Sequence, residues 1–160
     1  MKKIFLPLFL FCLLTPIGFA QAGVIQTQMS LDANFEIDIK KAQVIDNVLT
    51  VVFVCRNTSG TTATISMLPS EIYYIDSTQN KKYHILKDEN GAFIMAPSLY
   101  FGKLEFQVEA GKLKLAWIKM PAPDAGVETI NINLPGSLPF EKLKISFSSF
   151  IFNYFCSSYV

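Results

Sequence analysis

Chemistry in this chain would have to be assembled from few parts. His84 is the only histidine among 160 residues, so a Ser-His-Asp or Cys-His hydrolase would have to be built around it. It lies in Tyr83-His84-Ile85-Leu86, a run that reads as an ordinary strand. One histidine and distant cysteines also lack the close spacing of zinc ligands. Asp76 and Asp88 are the carboxylates a paired-acid hydrolase would use, yet nothing in their spacing makes them converge. Asp88, Glu89 and Asn90 before Gly91 offer oxygen ligands for calcium, but the full calcium-hand loop is missing and Asn-Gly is a turn signal in its own right. The expectation is therefore no catalytic residue, no metal and no cofactor, with a hydrolase using His84 as the last alternative.

Recognition has more candidates. Tyr73, Tyr74 and Tyr83 fall together in one hairpin and offer an aromatic binding surface, the competing role being cross-strand packing. At the C-terminus Phe147, Phe150, Phe152, Tyr154, Phe155 and Tyr159 crowd the last fourteen positions. Phe150, Phe152 and Tyr154 share one face, so this segment is either a buried last strand or an exposed apolar edge that self-associates or meets a partner. Tyr159-Val160 matches the penultimate tyrosine of pilus subunits, which assemble by strand addition. Cys55 and Cys156 could pair in an oxidising compartment. The other role for Cys55 is a buried thiol on the face of Leu49, Val51 and Phe53.

The elements that would position these residues are short strands. Residues 1–22 read as a secretory signal peptide: Lys2 and Lys3, an apolar run from Ile4 to Leu14, and an Ala20-Gln21-Ala22 ending. That run is too short and too broken by Pro7 and Pro16 for a membrane span, so no transmembrane segment is expected after cleavage. Losing Lys2 and Lys3 from 14 basic residues, against 13 acidic ones, leaves a slightly acidic chain with nothing to attract nucleic acid. Residues 23–34 are a polar arm or a first edge strand. Phe35, Ile37 and Ile39 alternate with acids, Asp46-Asn47 turns the chain, and Val48 to Val54 returns. Further strands are predicted at Thr61 to Leu68, Ile72 to Asp76, Lys82 to Lys87 and Leu104 to Val108. Leu113, Leu115 and Trp117 alternate next and are expected to face the core. Strands this close together, with no helical period, favour a β-sandwich.

Trp117 shortly before Pro121-Ala122-Pro123, the strand Val127 to Leu134, Leu134-Pro135-Gly136 and Pro139-Phe140-Glu141 carry a resemblance. So do Tyr74-Ile75-Asp76 and the run from Lys82 to Asp88. Over roughly residues 35–145 the chain resembles a family of small exported bacterial domains, mostly of unknown function. Some of these lie beside cell-envelope domains and some are related to a secreted mycobacterial antigen. The chain departs from them in Met120, where phenylalanine is expected, and in the aromatic tail. The resemblance implies an immunoglobulin-like antiparallel β-sandwich.

The organisation expected is a signal peptide (1–22), an arm (23–34), one all-β, immunoglobulin-like sandwich (35–147) and an aromatic strand or tail (148–160). The function expected is an exported, periplasmic or extracellular, non-catalytic binding or structural module of the bacterial envelope with an unknown protein or envelope partner. An adhesin or pilus-type subunit is the alternative.

Overall fold

A computed structural model describes residues 23–76, 78–99 and 101–148. The alternation at Phe35, Ile37 and Ile39 becomes β2 (Phe35–Ile45), and β3 (Val48–Asn57) returns antiparallel with Ile45 opposite Val48. Asp46 and Asn47 between them hold φ at 49° and 61°. That is the mirror-image two-residue turn whose twist suits right-handed strands, and Asp and Asn tolerate it better than other side chains do. Ile39 faces Phe53 but Lys41 faces Val52, so Lys40 is an extra residue. This bulge resets the parity: after Phe35, Ile37 and Ile39, the inward side chains are Ala42 and Val44.

Around this hairpin a sheet runs in the order β1 (Gln26–Met29), β2, β3, β9 (Leu113–Pro121), β7 (Met95–Ala96). Residues 23–34 thus include an edge strand, β1, whose Thr27 lies opposite Asp38. A second sheet has the order β11 (Phe140–Lys144), β10 (Thr129–Asn133), β5 (Tyr73–Asp76), β6 (Lys81–His84). β4 (Ala63–Met67) pairs with β8 (Leu104–Val108) as a separate ribbon. After β11 the chain changes sheets: the Ile145 N–H bonds to the Glu128 carbonyl, and β12 (Ser146–Phe147) lies parallel against β2. All other named pairings are antiparallel. The helical structure among the described residues is a 3-10 turn at Pro69–Glu71, and no helix there is long and apolar enough to cross a membrane.

The inner faces meet in one apolar cluster. Leu49, Val51, Phe53 and Cys55 from β3 join Ala116, Ile118 and Met120 from β9, Ile130 and Ile132 from β10, and Tyr74 from β5. Fully burying each large aliphatic among these contributes about 1.5–3 kcal/mol. The face expected to be buried on β9 is the wrong one. Ile118 lies opposite Val51 and Met120 opposite Leu49, which turns Leu113, Leu115 and Trp117 to the outer surface. Leu113 and Leu115 are 52% and 56% exposed and Trp117 is half-buried. The run Leu115-Ala116-Trp117-Ile118 is apolar on both parities, so its alternation alone cannot say which side faces inward. β9 ends at Pro121, which lies opposite Val48 at the last position of the ladder, where a missing N–H costs least.

Candidate functional site: a cleft on the four-stranded sheet

The residues singled out in the tyrosine hairpin divide between two faces. Tyr74 is fully buried, its ring stacked on Tyr83 at 4.7 Å and 12°. Its hydroxyl donates to the Pro121 carbonyl at 2.9 Å. Tyr83 is 9% exposed. Both rings belong to the interior, so they are withdrawn from the binding surface; strand alternation puts Tyr74 and Tyr83, directly opposite each other in the ladder, on the core side. Burial raises the Tyr74 phenol well above its ordinary value, with smaller contributions from Tyr83, Asp76 and Asp124. Tyr73, one position away, faces outward.

Tyr73 stands between two different surroundings. On the β6 side, the Lys82 ammonium lies 3.5 Å from its ring centroid and the His84 ring 5.9 Å away, a cation–π contact at an exposed site. On the β10 side it walls a shallow cleft of about 200 Å³, lined also by Ile75, Asn131, Asn133, Pro139 and Glu141. His84 is exposed. Among the described residues no hydrogen bond joins it to a carboxylate or hydroxyl.

The two asparagines of the cleft are held in place by the backbone. Between Ile130 and Ile132 the β10–β11 ladder shifts register, and Lys142 adopts φ of 51°. Its N–H leaves the ladder and donates to Asn131 Oδ1 at 2.8 Å. Asn133 Nδ2 donates to the Glu71 carbonyl at 3.0 Å. Oxygen and nitrogen of a side-chain amide are assigned by their partners, and here the partners decide: Asn131 keeps its Nδ2 as a spare donor, Asn133 its Oδ1 as a spare acceptor. Lying two residues apart on one strand, they present these groups roughly 7 Å from each other. No signal in the sequence marked this pair, because Thr129, Asn131 and Asn133 look like any solvated strand face.

The remaining candidates take structural roles. Asp88 Oδ1 accepts the N–H groups of Asn90 and Ala92, and Gly91 holds φ of 79°, so this stretch is a capped turn. Asp76 is buried and accepts from the Thr78 hydroxyl and N–H at 2.6 and 2.8 Å. Chiefly through the Thr78 hydroxyl, its carboxyl is held below the ordinary value despite burial. Among the described residues no group of His, Cys, Asp and Glu side chains could hold a metal ion. Cys55 is fully buried, and burial, with a smaller push from Asp38, raises its thiol to about 12. Phe152, Tyr154 and Cys156 lie outside the described residues.

Two larger recesses, of about 270 and 480 Å³, lie elsewhere. In the first, Ser30 and Asp32 bond to each other, and Thr64 and Ser66 are the other polar side chains of the lining. The second is lined by the exposed Glu109, Lys112 and Lys114, which lack the backbone anchoring of the asparagines. In comparisons with known proteins, no family model matches the chain, and neither a curated protein nor a solved structure matches it.

Proposed function

We propose that this chain is an exported, non-catalytic binding module of the bacterial cell envelope, with the immunoglobulin-like form of a β-sandwich, and that it binds through the outer face of the four-stranded sheet. One observation carries the reading: the cleft beside Tyr73, with Glu141 in its lining, presents two side-chain amides, Asn131 and Asn133, fixed by backbone partners. Amides neither gain nor lose protons near neutral pH, so they suit recognition rather than acid–base work. The signal-peptide pattern of residues 1–22 supports export. The antiparallel sheets sharing one apolar core, together with the family resemblance over residues 35–145, support the immunoglobulin-like form.

The test is expression of the full chain in a bacterial host. Mass spectrometry of the exported fraction is expected to find an N-terminus following Ala22, and the purified mature protein is expected to be retained on the envelope fraction. Tyr73→Ala and Asn131→Asp should each lower that retention while leaving the fold intact. A chain kept unprocessed in the cytoplasm, or retention indifferent to both substitutions, would overturn the proposal.

A further inference from the structure

We infer that the cleft takes one ring of a neutral carbohydrate, with Asn131 donating, Asn133 accepting, and Tyr73 and Ile75 forming the apolar wall. This rests on the binding reading above and names the ligand of that site.

The first argument is the pairing of polar groups. A side-chain amide that turns freely can exchange its two ends, but these two are each held in one orientation, since Lys142 N–H donates to the oxygen of Asn131 and the Glu71 carbonyl accepts from the nitrogen of Asn133. The cleft therefore shows the whole NH2 of Asn131 and the whole carbonyl oxygen of Asn133, with one further N–H left on Asn133 and one lone pair on Asn131. A ligand must carry both complements within one small unit. A sugar ring does so, because each hydroxyl both donates and accepts.

The second argument is the apolar wall. A pyranose has a C–H face, and half-buried Tyr73 with half-buried Ile75 offers the surface to cover it. Lys82 and His84 occupy the other side of the Tyr73 ring and do not line the cleft. The charged group that does line it is Glu141. A carboxylate on the rim accepts from hydroxyls and repels anions, which sets neutral saccharides above phosphates and uronic acids.

The third argument separates sugars from peptides. Extended peptides most often bind a sheet by adding a strand at an open edge. β5 is paired on both sides, by β10 and β6, and β10 by β11 and β5; the open edge on this side is the far side of β11, the strand of Glu141, so a strand added there would lie beside the cleft rather than in it. A peptide would bring a row of backbone N–H and C=O groups to a surface whose polar side chains, Asn131, Asn133 and Glu141, do not repeat along a strand.

The experiment uses the mature protein, labelled with 15N and titrated with maltotriose, chitotriose and mannotriose in turn. The expected result is saturable amide shifts at Tyr73, Ile75, Asn131 and Asn133 with at least one trisaccharide. Asn131→Asp keeps an acceptor for the Lys142 N–H and exchanges the spare donor for an acceptor. It should weaken binding by about tenfold or more, with the spectrum unchanged away from the cleft. Tyr73→Ala should abolish it. Shifts that fall elsewhere, or that survive both substitutions, overturn the assignment. If no trisaccharide gives saturable shifts while envelope retention still depends on Tyr73, the carbohydrate assignment fails and the binding face stands, with a peptide as its ligand. If retention is also independent of Tyr73, the binding face itself fails.

Discussion

Tyr74 shows how one hydroxyl joins two parts of the chain. Its ring packs in the core while its O–H donates to the Pro121 carbonyl at the start of the crossover between β9 and β10. Tyr74→Phe keeps the stack on Tyr83 and strands the carbonyl, so it is expected to destabilise by about 1–2 kcal/mol, read as a lower urea midpoint at unchanged slope. Asp38 governs the acid side. Burial, the largest single influence, raises its carboxyl, but the Thr27 hydroxyl, Lys40 and Arg56 together outweigh it and hold it below the ordinary 3.8. The folded group is then the more acidic, so unfolding takes up the proton first. Its contribution is complete above the unfolded value and disappears as pH falls through the lower folded one. Asp38→Asn should flatten the loss of stability below about pH 4 in a pH series of melting curves. Cys55 supplies a third readout. A thiol this buried and this weakly acidic should ignore a thiol reagent at pH 8 until denaturant is added. If the unfolded, unreduced mature protein still shows no free thiol, Cys55 is paired with Cys156.

At the scale of elements, Lys40 stands outside the alternation of β2. As the added residue, it leaves Lys41 and Gln43 outward and Ala42 and Val44 inward. Deleting it would place Lys41 directly after Ile39, opposite Val52, so the ladder would run without a bulge and Ala42 and Val44 would still face inward. Such a variant is expected to keep its cooperative unfolding transition by circular dichroism. Most strands could be read from the sequence because one face is apolar and the other polar: Phe35-Glu36-Ile37-Asp38-Ile39 and Ile130-Asn131-Ile132-Asn133 needed nothing more. Two features escaped that logic. Along β9 both parities are apolar, and the choice between them rests on register with β3, a long-range fact. In the cleft, Asn131 gains its meaning from a bulge eleven residues later in sequence. A bulge at Lys142 has no local signature, since lysine is a poor residue for positive φ.

For the whole molecule, the outer surface of the larger sheet matters most. Val54 against Leu115 and Val52 against Trp117 form an apolar strip there, beside the Glu36, Asp38 and Arg56 ion-pair group. Leu115 gives up little buried area if replaced, so Leu115→Lys should change stability by less than about 0.5 kcal/mol. In light scattering it should lower any concentration-dependent mass of the mature protein. An unaltered mass would place self-association elsewhere, and a chain ending at Ser148 would then test the C-terminal segment.

Both ends of the described chain reach β2 along the same side. β1 lies against its first half and β12 against its second, opposite the side taken by β3, with Lys40 marking the handover. Residues 23 and 148 therefore lie toward a single rim, that of the sheet that does not carry the cleft. A leash attached at either end would hold the protein by that rim. The opposite sheet would be presented outward, like a badge hung from its upper edge, free to meet a surface face-on.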